Sequence, residues 1–297
     1  MMSTLAALVR CMRPWQYTKN LLVFAAVIFA HRLGDPAAVI SSVLAFVLFC
    51  MVSSAVYLIN DVRDCEEDRR HPEKCLRPIA CGALSPRLAS AVAVALVIVG
   101  VGGSFVVNVG LGAVTLGYFG LQMLYQLILK QLVLLDVFAI AAGFVLRAVA
   151  GAEAIEVVIS PWLLICTLLL ALFLGLAKRR GELVLLEEGA EGHRRTLDRY
   201  SIEMLDQLIP VMAACAIMAY CLYTISDRTV AELGSTRLMY TIPFVIYGLF
   251  RYVYLMHREG HGGAPDRTLL QDRPLLITVA LYAATAAAII YYAPDGG

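Results

Sequence analysis

The sequence predicts an all-α integral membrane protein that crosses the bilayer nine times, and three observations predict it. Apolar residues make up 60 % of the 297 and charged residues only 16 %, with a mean hydropathy of +0.77. Soluble domains are nearer half apolar and about a quarter charged, so the excess here must face lipid. The apolar residues also come in runs near the roughly 20 residues that carry a helix across hydrocarbon. Lys and Arg, finally, fall almost entirely on alternate connections between those runs.

Residues 1–16 carry Arg10 and Arg13 among apolar side chains without a small-residue cleavage site, which reads as an interfacial amphipathic helix rather than a signal peptide. Spans follow at about 20–34, 37–59, 86–107, 110–129, 131–152, 161–177, 206–226, 238–256 and 273–292. With the N-terminus inside, 20 of the 24 Lys and Arg lie on cytoplasmic segments, including six from Arg63 to Arg87 and six from Lys178 to Arg199. Only Arg32, Arg228 and Arg237 fall outside, and Arg147 lies within a span. The positive-inside rule therefore predicts a plasma-membrane protein with its N-terminus in and its C-terminus out.

The outer connections are short, and the inner ones hold nearly all titratable groups, so chemistry is expected on the cytoplasmic face. A receptor or adhesin would show the reverse. The net charge of +1 averages acidic and basic clusters, and nucleic acid is not an expected partner. The eight cysteines do not form a disulfide framework. Cys65, Cys75, Cys81 and His71 share a loop, but their spacing matches no common zinc pattern.

The strongest constellation stands where the second span leaves the membrane, at Asn60, Asp61, Asp64 and Asp68. In a continuing helix Asn60, Asp64 and Asp68 recur every four residues, and Asp61 joins them three residues before Asp64. Crowded oxygens on one face repel unless a cation sits among them, and hard oxygen donors suit Mg²⁺ with substrate phosphates completing its shell. The bland reading is a solvated acidic helix end. His71, Lys74 and Arg77 follow on the same loop, as phosphate-binding bases or as topology-setting charges.

A second constellation closes the sixth span: Lys178, Arg179, Arg180 and Glu182, then Glu187, Glu188, Arg194, Arg195, Asp198 and Tyr200. Lys178 and Glu182 are four apart and share a face, though three successive bases also serve as a stop-transfer anchor. Asp136 and Arg147 lie in or near the fifth span, eleven residues apart and so on one side of the helix. Charges at such depth usually face a protein interior or a watery cavity, and are functional candidates or structural ion pairs.

Asn60-Asp61-x-x-Asp64-x-x-x-Asp68 resembles the first Asp-rich motif of the UbiA superfamily of intramembrane prenyltransferases. The resemblance covers nearly the whole chain. It implies one domain over 1–297, with nine helices around a central cavity open to the cytoplasm. Cap loops at about 60–85, 178–205 and 257–272 would cover it, with Mg²⁺ on a diphosphate held by Asn60, Asp61, Asp64 and Asp68. Most members carry a second acidic pair after helix six, where Lys178-Arg179-Arg180-Gly181-Glu182 stands here. That exchange suits a ligand with more phosphate than one diphosphate. It is similar to one branch of the family, the polyprenyl-phosphate (decaprenyl-phosphate) phosphoribosyltransferases. Arg13-Pro14-x-x-Tyr17-x-Lys19-Asn20 resembles that branch, as do Tyr125-x-x-x-Leu129-Lys130 with Leu135-Asp136 and the stretch from Arg251 to Pro274 with Gly262-Gly263.

The branch implies transfer of phosphoribosyl from phosphoribosyl diphosphate to a polyprenyl phosphate. Asp61, Asp64, Lys178 and Glu182 would be catalytic, and Arg179 would help clamp the diphosphate. Lys74 and Arg77 would meet the ribose 5-phosphate, while Lys19, Asn20 and Lys130 would meet the lipid head. Tyr125, Asp136 and Arg147 would complete the substrate-binding set. Conventional prenyl transfer to an aromatic acceptor shares the first motif but needs acids at Lys178–Glu182. A transporter coupling through Asp136 and Arg147 predicts broken helices or internal repeats, and neither is evident. Lipid length, homo-oligomer formation and Mg²⁺ against Mn²⁺ stay open.

Overall fold

Most of the long helix starts are built the same way: an Asp, Ser or Asn accepts orphan N–H groups of the first turn. In the computed structural model, Asp35 caps α3 (Pro36–Arg63) and Ser85 caps α5 (Pro86–Val107), each with proline at the first helical position. Asn108 caps α6 (Val109–Leu127) and Ser201 caps α9 (Ile202–Ile225). The structure describes residues 3–71, 74–187, 199–233, 235–258, 268–269 and 271–292, and among them all regular structure is helical.

The chain begins with α1 (Thr4–Met12), then Arg13 takes a left-handed backbone (φ 55°) and turns it into a 3₁₀ segment, Pro14–Phe24. A short α2 (Ala25–Phe29) follows. The first expected span, 20–34, thus falls on the end of the 3₁₀ segment and α2. After α3 come the short α4 (Cys65–Arg70), α5 and α6. Beyond them lie α7 (Leu135–Ala154), α8 (Pro161–Glu187), α9, α10 (Asp227–Leu233), α11 (Ile242–Arg258) and α12 (Arg273–Tyr292). Seven helices among the described residues are long and apolar enough to cross a membrane: α3, α5, α7, α8, α9, α12, and α11 with the 3₁₀ turn before it. Helix α6 matches the expected span 110–129 in place, carries Gln122 and Gln126, and is not among the seven.

The helices group into two compact units, one of residues 1–130 and 142–159, the other of 131–141 and 160–297. In the first unit α3 packs along α5, where Gly100 leaves room for Val52 and Gly103 for Leu48. Val23, Phe49, Val52, Leu111, Tyr118 and Ala150 form a core beside it. A Cβ at Gly151 would overlap the carbonyl of Val23, so only glycine lets α7 lie against the 3₁₀ segment. Arg63 donates to the Gln126 carbonyl (2.8 Å) and Gln126 to that of Val56 (3.3 Å), tying the C-terminal ends of α3 and α6 together. Helix α1 packs Ala7 and Cys11 against Leu58, Cys65, Ile79 and Leu84.

In the second unit α8 packs along α9, and Phe173 meets Tyr252 edge to face, with ring centroids 5.5 Å apart. Tyr220 bonds Thr241 (2.6 Å) and Tyr282 (3.3 Å), joining α9 to the start of α11 and to α12. Asp272 caps α12 through the Leu275 N–H and pairs with Arg251. Half of the apolar window of α3 is buried and 56 % of that of α7, against 17 % for α5, so α3 and α7 are the spans most enclosed by protein. Exposed Val94, Ile98, Val211, Met218, Phe250 and Ile277 are ordinary for helices that face lipid.

Candidate active site

The acidic end of α3 divides into two pairs with different surroundings. Asp64 closes α3 and leads into α4, with its N–H still bonded to the Asn60 carbonyl and its own carbonyl accepting from Asp68. The backbone therefore stays nearly helical, and each residue turns by about 100°. Asp61 and Asp68 are seven residues apart, about two turns, and nearly eclipse each other. Asn60 and Asp64 form the neighbouring stripe. Asp61 accepts from Arg13 (2.6 Å) and Arg77 (3.3 Å), and Asp68 accepts from Arg77 (2.7 Å). Both acids are almost fully buried, and Arg13 also lies over the Tyr57 ring at 4.9 Å. On the other stripe, Asp64 is half-buried with Lys130 3.9 Å away, and Asn60 makes no side-chain hydrogen bond among the described residues.

The remaining candidates of the first unit separate in the same way. Lys19, Lys74 and Tyr125 are half-buried, and the Lys74 backbone N–H donates to His71. Asn20 is only 1 % exposed and fully engaged: its oxygen accepts from Arg147 (2.8 Å), and its amide donates to Cys50 and Ser53. Arg147 also donates to Tyr118 (2.8 Å) and to the Gly143 carbonyl (2.9 Å) and lies over the Tyr118 and Phe144 rings. Its hydrogen-bond acceptors are all neutral. Asn20, expected beside the lipid head, here holds Arg147.

In the second unit Arg179 bonds both Asp136 (2.7 Å) and Glu182 (2.5 Å), so Glu182, which shares a face with Lys178, orients the Arg179 guanidinium. Asp136 is also bonded by the Tyr200 hydroxyl (2.7 Å), which in turn accepts from the Leu134 N–H. Burial, followed by the hydrogen bond to Asp136, raises the Tyr200 hydroxyl above its ordinary range and keeps it a donor. Lys178 is exposed. Arg180 pairs with Asp206, which also meets His257 (3.3 Å). Glu188, Arg194, Arg195, Asp198, Gly262, Gly263 and Arg267 lie outside the described residues.

Residues 21–270 match the model of the UbiA prenyltransferase family. This chain belongs to that family. It is 33 % identical to the decaprenyl-phosphate phosphoribosyltransferase of Corynebacterium glutamicum, over 97 % of this chain and 87 % of that one. The enzyme of the same name from Mycolicibacterium smegmatis is also 33 % identical, over 97 % of this chain and 93 % of its relative. Among solved structures, a UbiA homologue from Archaeoglobus fulgidus bound to GPP and Mg²⁺ is similar, with a TM-score of 0.72. The likeness covers 96 % of this chain and 99 % of that one at 18 % identity, and it shows the UbiA fold. Together with the seven long apolar helices, membership makes this a multi-pass membrane protein.

Within this UbiA chain no three His, Cys, Asp or Glu side chains gather for a metal among the described residues. Mg²⁺ needs less, since it keeps several waters and takes one or two protein oxygens beside substrate phosphates. Asn60 and Asp64, one turn apart and free of arginine, fit that requirement; Asp61 and Asp68 are engaged elsewhere. Sequence reasoning omitted Arg13 from the candidate residues. Its signal was present in the Arg13-Pro14 pair, which ends one helix and begins another beside the motif.

Proposed function

We propose that this protein transfers a 5-phosphoribosyl group from phosphoribosyl diphosphate to a polyprenyl phosphate. The observation that carries this is 33 % identity, over 97 % of the chain, to relatives named decaprenyl-phosphate phosphoribosyltransferase. The bases Lys178, Arg179 and Arg180 in a family whose second motif is usually acidic support the same reading. An oxygen of the lipid phosphate attacks C1 of the ribose while the bond from C1 to the diphosphate oxygen breaks, and the electron pair leaves with diphosphate. The acceptor is already an anion near neutral pH, so no general base is needed. Mg²⁺ bound at Asn60 and Asp64 would stabilise the charge that grows on the leaving diphosphate. Lys130, beside Asp64, supplies a phosphate contact. Asp136 and Glu182 hold the Arg179 guanidinium in place on two sides, and Tyr200 fixes Asp136.

The reading includes nine crossings of the plasma membrane with the N-terminus and the chemistry on the cytoplasmic side. The basic-residue asymmetry supports that orientation. Dimensions support the count. An eleven-residue 3₁₀ segment at about 2.0 Å per residue, with the five residues of α2, spans roughly 30 Å, the thickness of the hydrocarbon core. Helix α6 is of similar length at about 1.5 Å per residue.

The test incubates purified protein with radiolabelled phosphoribosyl diphosphate, a polyprenyl phosphate and Mg²⁺, and follows label into the lipid phase. Labelling that Asp64→Asn abolishes is the expected result. Turnover of a prenyl diphosphate with an aromatic acid, and none of the phosphoribosyl donor, would overturn the proposal.

A further inference from the structure

Two acids of the Asp-rich motif are committed to arginines, and those arginines are only partly used. Arg13 spends Nη2 on Asp61, while Arg77 spends Nη1 on both Asp61 and Asp68. Among the described residues, Arg13 Nε and Nη1 and Arg77 Nε and Nη2 donate to nothing. The side chains are 23 % and 28 % exposed, whereas the two carboxylates beneath them are 3 % and 5 % exposed. Arg13 and Arg77 share one acceptor, Asp61 Oδ1, at 2.6 and 3.3 Å, so the bonded nitrogens lie within about 6 Å of each other. Like charges held that close are stable because buried carboxylates lie under them. Uncommitted, partly exposed guanidinium edges are suited to oxyanions, which they bind two N–H groups at a time.

We propose that Arg13 and Arg77 form a phosphomonoester subsite, and that Asp61 and Asp68 are positioning residues for it rather than metal ligands. The subsite is distinct from the Asn60–Asp64 stripe and brings the N-terminal segment into substrate recognition. Arg13 stands at the left-handed junction between α1 and the 3₁₀ segment. Packing of Ala7 and Cys11 against Leu58, Cys65 and Ile79 fixes that junction beside the motif. The ligand is a terminal phosphate dianion. Resting on the phosphoribosyltransferase reading, it has two sources: the 5-phosphate of the sugar donor or the head group of the lipid acceptor.

The experiment uses the full chain in detergent and reads binding, not turnover. Ribose 5-phosphate and farnesyl phosphate are the two phosphomonoester probes, and Mn²⁺ with inorganic diphosphate reports the metal stripe by electron paramagnetic resonance. Arg13→Gln and Arg77→Gln are expected to weaken one phosphomonoester at least ten-fold while leaving Mn²⁺–diphosphate within about two-fold. Loss for ribose 5-phosphate assigns the sugar donor, and loss for farnesyl phosphate assigns the lipid head. Unchanged affinity for both probes overturns the subsite. Asp61→Asn is expected to behave like the arginine variants and Asp64→Asn to lose Mn²⁺. If Asp61→Asn loses Mn²⁺ as fully as Asp64→Asn, the positioning role is overturned. The arginine variants keep both acids, so the test survives if Asp61→Asn does not fold. A protein that binds ribose 5-phosphate through these arginines yet transfers nothing to lipid would retain the subsite and lose the phosphoribosyl-transfer reading.

Discussion

Replacing Arg147 by Met tests whether the guanidinium inside the first unit holds the scaffold together. Arg147 is 6 % exposed, and its hydrogen bonds go to Asn20, Tyr118 and the Gly143 carbonyl at 2.8, 2.8 and 2.9 Å. Met fills much of the same volume but donates nothing. Ser53 stays near both Asn20 and Tyr118 at 3.4 Å, so neither is left wholly without a partner. Hydrogen bonds between membrane helices average about 0.6 kcal/mol, which sets a floor of roughly 2 kcal/mol for three. Bonds to a charged group reach about 1.5 kcal/mol or more each, giving roughly 5 kcal/mol at the upper end. At about 2–4 °C per kcal/mol, the Tm of detergent-solubilised protein should fall by roughly 4–20 °C. Arg147→Lys should fall at least as far, because a single ammonium cannot reach three acceptors yet remains a buried charge. If both variants melt within about 1 °C of the parent, the network contributes nothing and the reasoning fails.

Gly151→Ala should lower stability by about 1–3 kcal/mol, because the new methyl meets the Val23 carbonyl, whereas Gly117→Ala, with open space around it, should be neutral or stabilising. Thermal melts of the pair decide it. Arg179→Met strands the nearly inaccessible Asp136 carboxylate and should cost about 3–5 kcal/mol, with much of that recovered in the Asp136→Asn/Arg179→Met double variant; additive losses would contradict the pairing. Asp272 is held below the ordinary carboxylate range by its bond to Arg251, so its contribution is complete above a pH of about 4 and fades as pH falls through the lowered value. Melts between pH 3 and 7 should show a steeper acid decline for the parent than for Asp272→Asn, and Asp272→Ala should lose about 1 kcal/mol of helix capping at neutral pH.

The positions of most helices were legible because lipid-facing segments must be apolar over their whole length, and that leaves a signal no packing detail can hide. The location of the acidic motif was legible for a similar reason, since it lies just where apolarity stops. Its division of labour was not. A four-residue repeat counts Asn60, Asp64 and Asp68 as one face, but the drift of the helix puts Asp68 nearer Asp61, and distant Arg13 and nearby Arg77 take both. Sequence does not show that Asn20 would accept from Arg147, 127 residues away. Asp136 and Arg147 lie on one helix at matching phase, yet each finds partners within its own unit. The 3₁₀ course of Pro14–Phe24 left no trace in hydropathy, which reports solvent preference and not rise per residue.

The α3–α5 contact is lined by glycine: Gly100 faces Val52 and Gly103 faces Leu48, while Ser104 turns its hydroxyl back to the Gly100 carbonyl. Lipid tails solvate apolar side chains as well as a neighbouring helix does, so greasy contacts alone would hold α3 weakly. Close backbone approach adds dispersion that loose acyl chains cannot match. The axial position of α3 against α5, and with it that of its acidic end, is therefore set by protein against protein. Membranes of different thickness should tilt or dimple around the pair before they shift that end.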